Sequence, residues 1–366
     1  MNTAMISRIA DHLFWFGRYV ERVDSTARLL YVTRNLVLDA DLPAADVWLP
    51  VLEATGEDGP FLARQAPGGD IPASADGEAV ERYLTWDEQS FVSLVQSVRF
   101  ARENAWSIRS TVSLEVWQAT NELYLWLAEP AARTLFETRR HDFYRHIQRA
   151  TQLIFGLTQS TMLHDQALDL VWLGALLERA GQVARTLDTH HELLASGPGL
   201  APAQSQGQSQ SQSLGQSQAP APARAPTDAP RSFVDTTEGP RPDPAVAAVT
   251  WLAVLRACSA SEPFAKRRPG QTTGPGVADF LLFERDFPRA VAFALGEARA
   301  ALVRLCPPDL PELPAQRTVA RLDALCAWLD AQRGDHQGRL HDVLTHLVDE
   351  TAEVCRALGR DLFGFG

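Results

Sequence analysis

The sequence predicts an all-α fold: two tandem duplicated helical repeats packed about a pseudo-twofold axis, with one disordered insertion. Three observations carry this. Ile6, Ile9, Leu13, Phe16, Val20, Val23, Ala27 and Leu30 recur at alternating spacings of three and four, which lays one apolar stripe along a helix. The stretch Ala10 to Leu30 returns as Ala167 to Leu187 at a constant offset of 157, with Trp15/Trp172, Gly17/Gly174, Glu21/Glu178, Arg22/Arg179 and Arg28/Arg185 among the identical pairs. Later blocks repeat in the same order. Trp48–Ala54 matches Trp251–Ala257, and Pro60, Phe61 and Arg64 match Pro263, Phe264 and Arg267, all at offset 203. Leu123, Trp126 and Leu127 match Leu325, Trp328 and Leu329 at 202; His141, Asp142, His146 and Thr151 match His341, Asp342, His346 and Thr351 at 200. Collinear repetition of this kind signals internal duplication.

In chain order, residues 6–40 should form the first helix, broken at Asp41 to Ala45 with Pro43. Short strands are plausible only in the turn-rich Trp48–Arg64 and Trp251–Arg267 blocks. Residues 65–80, rich in Gly, Pro and Asp, should loop over the surface. Helical spacing resumes from Glu88 to Ala128, and residues 130–163 read as a helix pair opened by Pro130. The second repeat follows the same plan. Its extra length falls at 197–243, Gln/Ser-rich and then Pro/Ala-rich, with almost no apolar residues. Such a segment cannot bury enough surface to offset its ordering entropy, so a disordered loop is expected. Repeats 1–163 and 164–366 should form one cooperative unit, because each apolar stripe needs the other repeat to cover it.

The 366 residues are 45% hydrophobic and 22% charged, ordinary for a globular protein. A net charge of −11 argues against a nucleic-acid binder or an anionic membrane surface. No run of about 18 uncharged apolar residues suggests a transmembrane helix. Cys258, Cys306, Cys326 and Cys355 lack CxxC spacing and read as reduced thiols in a cytoplasm. No metal or cofactor is expected. The His141-Asp142, His146 set and its repeat lack metal-ligand spacing, and an Asp–His structural pair fits better. The Gly-rich loop 266–276 lacks P-loop spacing.

The opening Ile6-Ser-Arg-Ile-Ala-Asp-His-Leu-Phe-Trp-Phe-Gly-Arg-Tyr-Val-Glu-Arg22, with Ala27-Arg28, resembles the N-terminal signature of the bacterial alpha-E domain family. Ala101-Arg-Glu-Asn-Ala105, with Arg109, Glu115, Trp117 and Asn121, resembles its middle motif, and Leu282-Phe-Glu-Arg-Asp-Phe-Pro-Arg289 its late motif. The resemblance implies a helical protein without an established reaction. It also implies partners, a circularly permuted ATP-grasp ligase and a transglutaminase-like protein, and hence a part in forming or modifying peptide-like amides. The sequence departs from the family pattern at Asp24-Ser25 and, in the second copy, at Gly181-Gln182.

Glu21 and Arg28 lie two turns apart, about 10 Å along the axis, too far for an intrahelical pair. Across a pseudo-twofold, Glu21 would reach Arg185 and Glu178 would reach Arg28. That set reads either as a buried ion-pair network or as a charged cleft for a zwitterionic or peptide-like ligand. Acid/base catalysis by the paired glutamates is the enzymatic alternative. Arg102, Asn104 and Arg109, and likewise Arg285, Asp286 and Arg289, lack counterparts in the other copy, and such asymmetry favours a unique site. Arg102 and Arg109, seven apart, should share a helix face and hold a carboxylate or phosphate. Asp286 and Pro288 suggest a helix start. Trp15, Gly17, Arg22, Trp172, Gly174 and Arg179 are assigned to the seam, with each Trp closing one end. The favoured function is a noncatalytic helical partner of an ATP-grasp-type amide ligase or its peptide-like substrate. An amide-bond-modifying enzyme and a purely structural scaffold are the alternatives.

Overall fold

In the computed structural model, which describes residues 3–40, 44–65, 76–191, 244–270, 272–307 and 315–364, the regular structure among the described residues is entirely helical. The first half runs α1 (Thr3–Ala40), α2 (Ala44–Thr55), α3 (Asp58–Gln65), α4 (Gly77–Trp86), α5 (Leu94–Ser107), α6 (Leu114–Ala128), α7 (Pro130–Thr138) and α8 (Arg140–Thr161). The second runs α9 (Gln166–Asp188), α10 (Pro244–Ala257), α11 (Ser261–Arg267), α12 (Gly274–Phe283), α13 (Val291–Leu305), α14 (Gln316–Ala331) and α15 (Leu340–Asp361), with a short 3-10 turn before α15. The expected break at Pro43 and the insertion at 197–243 lie outside the described residues.

Local chemistry explains the helix starts. Ser93, Ser113 and Asp165 cap α5, α6 and α9 by accepting from the amides of Gln96, Val116 and Ala167. Pro130 occupies the first turn of α7, where its missing N–H is harmless. The two blocks where strands were plausible are helical instead, as α2–α3 and α10–α11. Val47, Trp48, Val51 and Leu52 repeat at three and four and bury one face of α2, a period that outweighs the turn residues. Residues 76–80 of the expected 65–80 loop belong to α4 and its cap, where the Asp76 side chain accepts from Glu78 N.

At the centre α1 packs against α9. Each has its own flanking pair, α5 and α8 against α1, α13 and α15 against α9. One continuous hydrophobic core takes residues from both halves, from Ala10 to Phe363. Surrounded in this way, α1 and α9 are buried on far more than the single stripe read from sequence, and 0–2% of Glu21, Asp24 and Glu178 is exposed.

The two central helices touch backbone to backbone. A Cβ on Gly17 would stand 2.0 Å from the Val171 carbonyl oxygen, and one on Gly174 would stand 2.0 Å from that of Phe14. The contact is reciprocal, because Phe14 and Val171 are themselves 157 apart. Only glycine permits so close an approach. Further along, Arg22 meets Glu178 and Arg179 meets Glu21. The contacts advance together on both helices, so α1 and α9 run in the same direction through the seam. No single described helix is long and apolar enough to cross a membrane.

Candidate functional site

One turn beyond the glycines, the seam becomes ionic. Arg179 donates through Nε and Nη2 to the two oxygens of Glu21, at 3.1 and 2.7 Å. Arg22 Nε donates to Glu178 Oε1 at 2.7 Å, and Arg18 donates through Nε and Nη2 to Glu178 Oε2 at 2.8 and 2.6 Å. The two Glu-Arg dipeptides therefore cross, each glutamate taking the arginine of the other. This corrects the expected Glu21–Arg185 and Glu178–Arg28 pairs. In helices that run the same way, residues at one level meet, and Arg185 lies six residues, about 9 Å, beyond Arg179.

Arg28 bonds its own helix, donating Nη2 to both oxygens of Asp24 at 3.0 and 2.8 Å. Arg289, from the loop before α13, reaches both Glu21 (3.1 Å) and Asp24, and Thr151 Oγ1 lies 2.9 Å from Asp24 Oδ1. Arg179 also donates to the Pro288 carbonyl at 3.2 Å, which ties that loop to the seam. Burial pushes Asp24 and Glu178 up, but the arginines outweigh it. Arg289 and Arg28 hold Asp24 below the ordinary carboxylate range, and Arg22 and Arg18 hold Glu178 well below it.

Arg185 is the exception. It is largely buried and donates Nε to the Ala54 carbonyl at 3.1 Å, and it has no carboxylate partner among the described residues. Gly181 stands where Asp24 stands relative to Arg28, and the guanidinium lies over it, 3.6 Å from where a Cβ would be. Burial pushes the Arg185 guanidinium down, and Glu178 only partly restores it. Arg185 forms part of the wall of a cavity of about 600 Å³ where α1 and α9 end between α2 and α10. The other walls are mostly apolar, with Leu29, Val32, Leu36, Val47, Val51 and Val254, and Glu53, Asp188, His191 and His341 line it as well.

The other candidates separate. Arg102 donates to Asn121 at 2.7 Å and lies over the Tyr124 ring, 4.6 Å from its centroid. Arg109 stacks over Trp106 and is exposed. They share no helix face, because α5 ends at Ser107, so the expected joint anion clamp does not form. Asn104 contacts His12 Nδ1 at 2.8 Å. Arg285 pairs with Asp330, and Asp286 with Arg267, both at the surface. Asp286 does not start a helix: α13 begins at Val291 behind Ala290, without a side-chain cap. Of the late motif's charged side chains only Arg289 joins the seam, beside the Pro288 carbonyl.

The two tryptophans differ as well. Trp15 lies under Arg18, while Trp172 stacks on Phe155 and lines a second cavity of about 660 Å³ beside Arg179. The expected Asp–His pairs do not form. His146 stacks on Trp126 and His346 packs at a tilt on Trp328, each with ring centroids 4.0 Å apart, while Asp142 faces Arg139. Sequence reasoning passed over Arg18, Asp24, Glu81 and Arg140. Buried Glu81 is bonded by Arg140 and Arg34 at 2.7 and 2.8 Å. The signal was present: Glu81-Arg82 and Glu284-Arg285 are two further Glu-Arg dipeptides, at the same offset of 203. They also give Arg285 the first-half counterpart it was thought to lack.

What the fold and seam define is a helical protein organised around crossed Glu-Arg dipeptides. The chain belongs to the Alpha-E family, described as an alpha-helical domain with a conserved ER motif, whose signature matches residues 5–363. It is similar to an uncharacterised protein of Mycobacterium tuberculosis strain H37Rv and to one of Mycobacterium bovis. Each is 23% identical over 377 residues, covering 97% of this chain and 35% of the relative. The chain thus spans about a third of the length of these relatives. No solved structure matches it.

Proposed function

We propose that this chain is a noncatalytic helical module that binds an ATP-grasp-type amide ligase or its peptide-like substrate, in the cavity at the ends of α1 and α9. What carries the reading is Arg185, a guanidinium with no carboxylate hydrogen-bonded to it among the described residues, on the wall of a largely apolar cavity that Glu53 and Asp188 also line. A guanidinium so placed favours a carboxylate, which it can hold through two parallel hydrogen bonds. The apolar walls suit a hydrophobic side chain beside that carboxylate. Along the seam and the cavity at its end six arginines face five carboxylates, Glu21, Asp24, Glu178, Glu53 and Asp188, which leaves a small positive balance for an anion. Amide chemistry by the paired glutamates is disfavoured, because every oxygen of Glu21 and Glu178 already accepts from an arginine.

Two further elements belong to this reading. The halves are tandem copies of one helical unit, which the reciprocal glycine contacts support. The setting is a reducing cytoplasm, which the four free thiols favour.

Calorimetry with short apolar peptides tests the cavity. A free C-terminal acid should bind at least about tenfold more tightly than its amide, a gap of ~1.4 kcal/mol. Arg185→Met should erase that difference. Equal binding of acid and amide would overturn the Arg185 reading. Capture of the tagged chain from its native cells, followed by mass spectrometry, tests the ligase, and a catch without any ATP-grasp protein would overturn that half.

A further inference from the structure

We propose that Asp188, His191 and His341 form a site for a divalent transition-metal ion of the zinc class at the rim of the α1/α9 cavity. One ligand atom from each lies within 4.8 Å of the others. Asp188 Oδ1 is 2.7 Å from His341 Nδ1 and 4.0 Å from His191 Nδ1. Ligand atoms around a tetrahedral zinc, at about 2.0–2.1 Å from it, lie about 3.3 Å apart, so the Asp188–His341 pair would open by about 0.6 Å to admit the ion. The imidazole rings stand 4.7 Å apart, close enough for one ion to bridge them.

The surroundings favour an ion as well. His191 donates Nδ1–H to the Asp188 carbonyl at 2.6 Å, which leaves its Nε2 lone pair free. Such a backbone anchor is the usual support of a metal-bound histidine. All three residues, with Glu53, line the same cavity, so the open coordination positions face space that a water or a ligand oxygen can fill. Among the described residues, the ion-pair partners of Asp188 are the two histidines alone. Two imidazoles with a carboxylate suit zinc, cobalt or nickel better than magnesium or calcium, which prefer all-oxygen sites.

The corresponding corner of the first half shows that this is not a packing habit of the fold. Tyr31, Arg34 and His141 occupy the positions of Asp188, His191 and His341 at the offsets of 157 and 200. There Tyr31 packs on His141, with ring centroids 5.0 Å apart, and Arg34 pairs with Glu81. Two of the three positions differ, and with the shared histidine they convert an aromatic contact into a set of three metal donors.

The site does not rest on the peptide-binding reading, and its test uses the metal alone. Metal-stripped full-length protein is titrated with Zn²⁺ by calorimetry and with Co²⁺ by visible absorption. One equivalent of each should bind, with tetrahedral Co²⁺ bands. Asp188→Asn and His341→Gln should each weaken Zn²⁺ binding at least about 100-fold, the upper range for loss of even a supporting partner. Circular dichroism should be unchanged, since His341 is exposed and Asp188 and His191 are half-buried at the cavity rim, and His191→Gln provides the same test should His341→Gln not fold. His164→Gln, at an exposed histidine in the second cavity, should leave binding intact. Substoichiometric binding by the unmodified chain, or tight binding that survives Asp188→Asn and His341→Gln together, would overturn the proposal. An equal loss in His164→Gln would do the same.

Discussion

Arg28 and Arg185 stand 157 residues apart at one level of two helices that run side by side, yet only one of them has a carboxylate hydrogen-bonded to it among the described residues. Arg28 has Asp24 one turn below it, and Asp24 is in turn held by Arg289 and Thr151. Arg185 has Gly181 at that place and lines a cavity. The corner beyond diverges in the same direction, with Tyr31 against His141 on one side and Asp188 against His341 on the other. One corner is closed by its own side chains. In the other, polar groups face open space. In a structure of paired helices, the position that loses its counter-charge is where a ligand can supply one.

The largest expected effect probes what the two corners share. Glu178→Gln strands Arg18 and Arg22 in a buried seam and should lower stability by roughly 3–5 kcal/mol in chemical denaturation. A double-mutant cycle should find strong coupling between Glu21 and Arg179 and almost none between Glu21 and Arg185. The pH dependence follows. Glu178 and Asp24 are held low in the folded state, so their contribution is complete above their unfolded values, about 4.3 and 3.9. It is lost as pH falls through the lower folded values. Stability should decline below about pH 5, and Glu178→Gln should make that decline shallower.

Next come the glycines. Gly17→Ala and Gly174→Ala each force a methyl against a carbonyl of the facing helix and should each remove about 3 kcal/mol. Melts that differed widely between the two would break the reciprocity of the seam.

Smaller effects sharpen the contrast itself. Arg28→Met should lower stability by about 2 kcal/mol, because charged hydrogen bonds to Asp24 are lost. Arg185→Met should be neutral or stabilising, because it removes a desolvated cation that has no carboxylate hydrogen-bonded to it. A matching loss at both sites would show that the corners are equivalent after all. Smallest of all, Gly181→Asp should raise stability by roughly 0.5–1 kcal/mol, through better helix propensity and a new ion pair with Arg185. It should at the same time abolish binding of free-acid peptides.

The helical class, the long α1, the Pro130 start and the paired Glu and Arg residues were legible because periodicity and repetition are local properties of a sequence. The partner of each glutamate was not. Choosing between Arg179 and Arg185 requires knowing which way the helices run, and an amphipathic stripe carries no direction. Gly17 and Gly174 held that information, since two glycines at matching levels allow a close crossing, but the glycine pair was assigned only to the seam. Arg289 reaches Glu21 across 268 positions, and Asp188 meets His341 across 153, so no spacing rule could join them. Gly181 in place of an acid was visible as a departure from the family pattern. What it uncovered, an arginine on a cavity wall, became apparent only once Ala54 and α10 were in place.

The glycine crossing also sets how the module behaves mechanically. Two helices in direct backbone contact at both Gly17 and Gly174 are keyed together, like splined shafts, and neither can slide without driving a carbonyl into the other's main chain. The cavity wall at Arg185 lies eleven residues beyond Gly174, about 16 Å along the same helix. A ligand seated there pushes against a stiff rod and not against a hinge. Occupancy would then be communicated outward, through the peripheral helices, while the central pair serves as the fixed bearing.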